Sequence, residues 1–533
     1  MAKVLRPRLL FLLALVLAWL FDYFFWGKNV GVSFPLFIVL LIATGMWLAG
    51  QAKLRPAPAA LWLLVPIVAL SLVSVLRADP FTLLTSWLSA LILLCVFALS
   101  LLGGRWPHYG FADYIVNLLT FIPRGLGLLR QQGKKAGRVQ GEQSFLRSMA
   151  PVARGLLLAL PLLWFLTLLL SSADPFFAEW MDSLFFNLEN APEYMLRGLI
   201  ILGLAYVFSA TYLYAFNHSK DEALLGEKKP LLAPLLGFPE AATMLASVNL
   251  LLASFVVAQF RYFFGGLSNI LEGPGGFTFA EYARRGFAEL VIVALTVLVF
   301  FILLSSISKR KSGRQQNWFS GLGVGLFLWV TVILVSAFER LLLLEEAYGF
   351  TRFRTYPHIF MIWLGILLLA VVILETLQRQ RAFALAVLLA ALGFALSLPL
   401  LNVDAFIART NVERASSEGD LDHLYLASLS DDAVPVLVSA FQAATERGDA
   451  LLANQLTVAL ACHFAGFPPN PTPSWQAWSW AKALAQDQWR LFTASLDVPI
   501  VAASQEASQP WPSVAINGQF VDCAVPAFEA DFP

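Results

Sequence analysis

Long apolar runs recur along most of the chain and constrain its fold more than any other feature. A transmembrane helix needs roughly 20 consecutive, mainly apolar residues, and eleven runs in this 533-residue chain approach or exceed that length. Their approximate bounds are 8–26, 33–50, 59–76, 81–103, 155–173, 195–216, 240–260, 287–307, 319–338, 357–377 and 382–401. Only 13% of the residues are charged, whereas soluble domains carry about 25%. The sequence therefore predicts an all-α, polytopic transmembrane helix bundle.

The first apolar run follows Lys3, Arg6 and Arg8, as the apolar region of a signal peptide would. An aromatic stretch at 22–26 stands where a small-residue cleavage site would be expected. We therefore expect an uncleaved first helix that ends at a membrane interface.

Lys and Arg residues concentrate in alternate loops, and cytoplasmic loops are the ones enriched in these residues. If the N-terminus is cytoplasmic, every cytoplasmic loop is basic, whereas the loop at 174–194 has no Lys or Arg and several carboxylates. An odd number of spans then places the C-terminus outside. We expect a multi-pass protein of the cell membrane, with a cytoplasmic N-terminus and an extracytoplasmic C-terminus.

Composition divides the chain into four predicted regions. They are a four-span membrane region at 1–104, a cytoplasmic interfacial and basic segment at 105–154, a seven-span core at 155–401, and a small soluble extracytoplasmic tail at 402–533. In the second region, apolar and aromatic residues at 109–129 precede a basic stretch. An interfacial helix with this pattern is attracted to anionic lipid, which we expect to contact 124–154.

The tail contains no run long enough to span a bilayer. Apolar spacing predicts helices near 404–415, 420–429, 431–446, 449–463 and 474–493, and an irregular stretch after about Ala494. Cys462 and Cys523 form a disulfide if the tail is outside, or are two buried thiols. Five tryptophans make the tail a candidate surface for an envelope protein partner.

A polar segment at 259–289 interrupts the apolar pattern on the extracytoplasmic side. Ionisable residues at a bilayer boundary are costly and indicate function by default. A helix that starts near Thr278 would bring Glu281, Arg285 and Glu289 to one face, while Arg284 lies on a neighbouring face. Two interpretations stay open: ion pairs that anchor the helix, or a patch that binds an anion or a lipid headgroup.

A second charged set lies on the same side, around the next extracytoplasmic loop, and is expected to meet the first. The combined candidate polar site is Arg261, Glu281, Tyr282, Arg284, Arg285, Glu289, Glu345, Arg352, Arg354 and His358. Gly321 and Gly325 have the GxxxG spacing that permits close helix approach.

Several segments resemble bacterial membrane proteins of unknown function. They are QFRYFFGG at 259–266, FTFAEYARRGFAEL at 277–290, LEEAYGFTRFRTYPHIFMIWL at 344–364, LNVDAFIARTNVERA at 401–415 and LDHLYLASLSDDAVPVL at 421–437. The chain between about 171 and 437 resembles domain of unknown function 4173, which is close to family 4153. The resemblance implies a bacterial integral membrane protein and supplies no activity.

The residue patterns exclude several functions and leave three open. No CxxC, metal-ligand spacing or HExxH is present, so we predict no cofactor and no metal, and the basic residues lie beside apolar spans rather than on a nucleic-acid-binding face. The favoured role is a cell-envelope scaffold, sensor or assembly factor. A transporter or lipid flippase, and an enzyme that acts on lipid-linked or headgroup substrates at the outer face, are the alternatives. Catalysis stays open, and a non-enzymatic role is favoured.

Overall fold

A computed structural model describes most of the chain. It covers 7–139, 191–219, 235–263, 287–418, 421–466 and 474–496, with short pieces at 501–502, 513–516 and 519–523 and the single positions 166, 170, 177 and 224. The statements below concern these residues.

The described chain is mainly α-helical. Its first eight helices are α1 (Pro7–Phe25), α2 (Ser33–Gln51), α3 (Pro58–Leu61), α4 (Leu64–Leu76), α5 (Pro80–Ser100), α6 (Phe111–Val139), α7 (Ala191–His218) and α8 (Phe238–Phe263). The next four are α9 (Phe287–Ile307), α10 (Gly313–Tyr348), α11 (Arg352–Thr376) and α12 (Phe383–Leu401). The last five are α13 (Val403–Glu418), α14 (His423–Ala427), α15 (Val434–Arg447), α16 (Ala450–Gly466) and α17 (Trp480–Ala494).

Nine helical segments of the described chain are long and apolar enough to cross a membrane, with α3 and α4 counted as one. The first predicted span is also a helix, although its apolar part, Leu9–Phe25, is shorter than the other nine. The predicted span at 155–173 lies almost wholly outside the described residues. The chain is therefore a multi-pass membrane protein whose described part is a helix bundle, because only a helix satisfies its own backbone groups in a bilayer without a partner strand.

The apolar helices form two packed groups. The first core contains residues of α1, α2, α4, α5 and α7, and the second contains residues of α8 to α12. Gly323 of α10 permits a close approach to α9, because a Cβ there would lie 2.5 Å from the ring of Phe301. Gly321 faces open space. Close approach therefore occurs at the glycine between the two positions of the predicted GxxxG pair.

The helices after α12 pack on one end of the bundle, which we call the tail end. Their own core also includes Ile359 of α11 and Leu398 of α12. The turn between α1 and α2 contacts this region too: Val32 N–H donates to Trp478 O at 3.0 Å. We call the opposite end of the bundle, with the turns near 51–57, 308–312 and 377–382, the far end.

The chain after Ala494 contains a small sheet, so the prediction of an irregular stretch is wrong for its described residues. Strands β1 (Val501–Ala502), β2 (Ser513–Ile516) and β3 (Gln519–Asp522) form an antiparallel sheet in the order β1-β2-β3. Asn517-Gly518, which separates β2 from β3 in the sequence, is the residue pair that two-residue hairpins favour. The Asn-Gly pair predicts a hairpin at this position, which the overall composition of the stretch does not.

Candidate functional site

The turn between α10 and α11 positions several predicted site residues at the tail end. Gly349 ends α10 with a φ of 76°, a conformation that glycine adopts without strain. The side chain of Asn411 from α13 accepts from Phe350 N–H and donates to Phe350 O, both at 2.8 Å. This double contact fixes the turn against α13. The predicted site residues on either side of it are Glu345, Arg352, Arg354 and His358.

Arg352 forms the central ion pair of the tail end. Its Nε donates to Asp404 Oδ1 at 2.8 Å, and its Nη2 contacts Asp404 Oδ2, so the pair is bidentate. Asp404 is 0% exposed and also accepts Ser430 N–H at 2.8 Å. The backbone N–H of Arg352 donates to the hydroxyl of Tyr425, whose pKa burial raises to about 12. One arginine therefore connects α11 with α13, with α14 and with the residue that follows α14.

Asp79 extends this ion pair into the first helix group. It caps the N-terminus of α5, where its Oδ2 accepts Thr82 N–H at 2.9 Å, as Asp commonly does at this position. Its Oδ1 accepts the hydroxyl of Tyr356 at 2.7 Å and lies 3.8 Å from Nε of Arg352. The carboxylate of Asp79 thus joins α5 to α11.

Asp432 makes a parallel connection from the loop before α15. Its Oδ2 accepts the backbone N–H groups of Ala78 at 2.6 Å and Asp79 at 3.1 Å. Arg77 Nη1 lies 3.9 Å from Asp432 Oδ1, and Arg77 Nε donates to Pro399 O at 2.8 Å. Burial raises the pKa of Asp432 to about 6, against the opposing effects of the Ala78 N–H and of Arg77. Burial disfavours the charged form of a carboxyl, and here that effect outweighs the hydrogen bonds and the distant guanidinium group.

We call Arg77, Asp79, Arg352, Tyr356, Asp404 and Asp432 the tail-end network. Three carboxylates and two guanidinium groups from four separated stretches of chain contact one another or the same backbone groups. A guanidinium group can serve two carboxylates at once because its donors point in several directions. The arrangement joins the two helix groups to the C-terminal helices.

Glu345 and His358 form a second pair beside this network. His358 Nδ1 lies 3.0 Å from Glu345 Oε1 and 2.9 Å from Oε2. Glu345 is buried, and the imidazole ring contacts Phe338 edge-on, with 4.2 Å between ring centres. Arg354 donates to Gly349 O, and its guanidinium carbon lies 5.7 Å from the ring centre of Tyr348.

The remaining predicted site residues are either exposed or have side chains outside the described residues. Glu289 is exposed in the first turn of α9. The backbone of Arg261 belongs to α8, but its side chain lies outside the described residues, as do Glu281, Tyr282, Arg284 and Arg285. The predicted meeting of the two charged sets, and the ladder on a helix from Thr278, remain predictions.

Three network carboxylates, Asp79, Asp404 and Asp432, were not among the predicted site residues. Asp79 precedes Pro80 at the start of α5, and Asp404 is the second residue of α13, soon after the last apolar span. An acid at the end of an apolar run is the signal that identifies these two, whereas Asp432 follows Asp431 in a loop. Considered alone in the sequence, each of the three carboxylates resembles a helix cap or a residue at a solvent-exposed helix end.

The far end has polar contacts of a different kind. The buried carboxylate of Glu375 accepts the Ser320 hydroxyl at 2.7 Å and the side-chain amide of Gln380 at 3.2 Å. Arg310 donates to Ser305 O and lies over the ring of Phe319, with its guanidinium carbon 4.4 Å from the ring centre. These contacts close the turns between successive helices.

A disulfide joins Cys462 of α16 to Cys523, which follows β3 directly, across 61 positions of sequence. Together with Ala427 and Val514, the two cysteines belong to a small apolar cluster between α16 and the sheet. The bond therefore secures the sheet to the C-terminal helices.

A comparison with known protein families assigns the chain to one of them. The family model described as "Domain of unknown function (DUF4153)" matches residues 64–440. The chain belongs to this family. No curated protein and no solved structure matches it.

The DUF4153 match refines the resemblance seen in the sequence. It shows family 4153, and it does not show family 4173. The match begins at 64, within the third span, rather than near 171, and it continues past the predicted tail boundary at 402. All six members of the tail-end network lie inside the DUF4153 region. The disulfide, α1 and the tryptophans at 475–480 lie outside it.

Proposed function

We propose that this multi-pass membrane protein is a non-catalytic scaffold, sensor or assembly factor of the cell envelope. Its working surface would be the C-terminal region, held rigidly on the extracytoplasmic end of the helix bundle. The observation that carries the proposal is the tail-end network. Its ionised groups bind one another across separated stretches of chain, so their charge holds structure together and is not presented to a substrate.

Two independent features support an extracytoplasmic tail end. The far-end loops at 51–57, 308–312 and 377–382 are rich in Lys and Arg, as cytoplasmic loops are. The disulfide between Cys462 and Cys523 belongs to the tail end, and disulfides persist in oxidising compartments outside the cytoplasm. The proposal therefore assigns a cytoplasmic N-terminus and a C-terminus in the envelope, where 402–533 would contact a protein partner.

On the same proposal, α6 and the basic stretch after it bind anionic lipid of the cytoplasmic leaflet. Ile115, Leu119 and Ile122 of α6 are exposed at helical spacing, while Phe121 is buried against Tyr214. An exposed apolar face followed by basic residues at 124–154 fits the boundary between acyl chains and anionic headgroups.

Topology is tested by fusing a reporter after Pro533 that is active only outside the cytoplasm. We expect activity, with the same reporter fused after Lys311 in the far-end turn as an inactive control. The reverse pattern would overturn the assigned orientation.

The non-catalytic role is tested by complementing a strain that lacks this gene. We expect Asp404→Asn to lose both the phenotype and the docking of the tail, measured by protease access to 403–496 in sealed, right-side-out membranes. His358→Gln should keep docking and phenotype together. If His358→Gln loses the phenotype with the tail fully docked, the Glu345–His358 pair performs chemistry or transport, and the scaffold proposal fails.

A further inference from the structure

Three tryptophans are exposed at and just before the start of α17. Trp475, Trp478 and Trp480 are 48%, 44% and 57% exposed. By contrast, Trp489 of α17 packs inside the tail, stacked on Phe464 with 4.3 Å between ring centres. Large aromatic surfaces that stay outside the core of a domain mark an interaction surface. We call 474–480 the tryptophan segment.

The tryptophan segment is fixed against the end of the first span. The ring of Trp475 lies 5.7 Å from that of Phe24 and 6.4 Å from that of Tyr23, measured between centres. Trp478 O accepts Val32 N–H at 3.0 Å. At Gly31, a Cβ would collide with Trp478 O, so only glycine permits this approach. These contacts therefore hold the tryptophan segment beside the C-terminal end of α1.

An exposed apolar stripe on α1 ends next to the tryptophan segment. Leu12, Val16, Trp19 and Tyr23 are 57%, 51%, 55% and 42% exposed and share one helix face at i, i+4, i+7 and i+11. Because α1 is an apolar helix at the outside of a membrane bundle, this stripe faces acyl chains. The rings of Trp19 and Tyr23 stack with 5.9 Å between centres, and the ring of Tyr23 in turn lies 6.4 Å from that of Trp475.

Polar groups beside the stripe mark the level at which the membrane core ends. Lys28 Nζ donates to Tyr23 O at 2.8 Å and lies 4.5 Å from the centre of the Tyr23 ring. Arg197 forms a bidentate contact with Asp22, and Trp26 Nε1 donates to Glu193 Oε1 at 2.6 Å. Trp, Tyr and Lys together are typical of the headgroup zone of a bilayer.

We propose that the tryptophan segment is inserted in the headgroup zone of the leaflet at the tail end, so that lipid is the partner of these three side chains. The C-terminal region is then a membrane-bound lobe rather than a soluble one. Continuity with the acyl-facing stripe of α1 selects lipid over a protein partner. This inference depends on the chain spanning a membrane and not on which side the tail end faces, so it can fail independently of the proposed scaffold role.

The test places an environment-sensitive fluorophore on the full-length protein in lipid nanodiscs. A Cys95→Ser background removes the free thiol and leaves the disulfide intact. Trp480→Cys and, separately, Trp478→Cys carry the probe, and Glu446→Cys is the control. Glu446 is exposed near the end of α15, which starts beside the network and is about 20 Å long for its 14 residues.

Nanodiscs of phosphatidylcholine brominated high on the acyl chain are compared with unbrominated ones. We expect at least two-fold quenching of the probe at 478 and 480 by bromolipid, little quenching by aqueous iodide there, and the reverse at 446. Size-exclusion profiles that match the parent protein confirm that each variant is folded. Equal intensity in both lipids at 478 and 480 would overturn the inference. In that case, quenching by iodide would show that the probe is in water, and a lack of quenching would show that it is covered by a protein neighbour.

Discussion

The two ends of the helix bundle both contain buried carboxylates, but they use them differently. At the tail end, Asp404 of the C-terminal helices pairs with Arg352 of the bundle, and Asp432 accepts the N–H of Ala78 across 354 positions. At the far end, Glu375 accepts from Ser320 of α10 and from Gln380 in the turn after α11, both within the second helix group. The tail-end contacts determine where the C-terminal region packs, whereas the far-end contacts only shape turns.

Removing one partner of the tail-end ion pair should give the largest effect. Asp404→Ala leaves Arg352 without its bidentate partner, and breaking a buried pair in this way costs about 3–5 kcal/mol. We expect a large drop in the midpoint of thermal unfolding in detergent, with the tail becoming accessible to protease first.

The matched control removes both charges. Arg352→Met combined with Asp404→Leu removes both members of the bidentate pair, while Asp79 keeps its hydrogen bonds from Thr82 and Tyr356, so the double variant should recover part of the lost stability. If the double variant is as unstable as the sum of the two single variants, the pair does not act as a unit and the contrast between the ends weakens.

Gly31→Ala tests the second connection of the tail end. The new methyl group would collide with backbone atoms of Ala477 and Trp478, and overpacking of this kind costs about 1–3 kcal/mol. Gly50→Ala, also near an end of α2 but with open space around it, is the control and should be neutral or slightly stabilising. Equal effects of the two substitutions on tail protection would show that 474–480 does not need this approach.

Glu375→Gln measures the far end with a substitution of the same shape. The amide can still accept from Ser320, so we expect a loss of about 1 kcal/mol. Asp404→Asn, the same change at the tail end, should cost distinctly more because Arg352 then lies beside a neutral group. A larger effect of Glu375→Gln on the thermal midpoint would reverse the comparison.

The smallest effect concerns Asp432 and depends on pH. Burial raises its pKa in the folded protein to about 6, above the ordinary 3.8, so folding favours its protonated form. The stabilisation from this group is full below pH 3.8 and is lost as the pH rises through about 6. In the Asp432→Asn variant the side-chain amide oxygen can still accept both N–H groups, so the substitution should change stability at pH 7 by about 1 kcal/mol or less.

Thermal midpoints of wild-type protein and Asp432→Asn between pH 4 and pH 7 isolate this contribution. We expect wild type to lose stability relative to the variant as the pH rises through about 6. A constant difference across that range would mean that Asp432 is ionised throughout and that its contacts with Arg77 outweigh its burial.

Much of the fold follows from local patterns in the sequence, but the site follows only in part. Arg352 and His358 attract attention because they are ionisable residues at the edge of an apolar run. Asp404 and Asp432 do not, since each resembles a residue at a helix end with water nearby. The β2–β3 hairpin was missed because a Pro- and Ser-rich composition outweighed the local Asn-Gly signal.

The sequence by itself determined that this chain is a multi-pass helical membrane protein, because a span must satisfy its backbone hydrogen bonds within its own residues. Apolar length therefore specifies each span without reference to any other part of the chain. Only the tertiary structure decided which charges meet at the tail end. Arg352 could pair with any nearby carboxylate, and the choice of Asp404 and Asp79 depends on how helices distant in sequence pack together. Buried charges are stable where that packing supplies an opposite charge or hydrogen-bond donors.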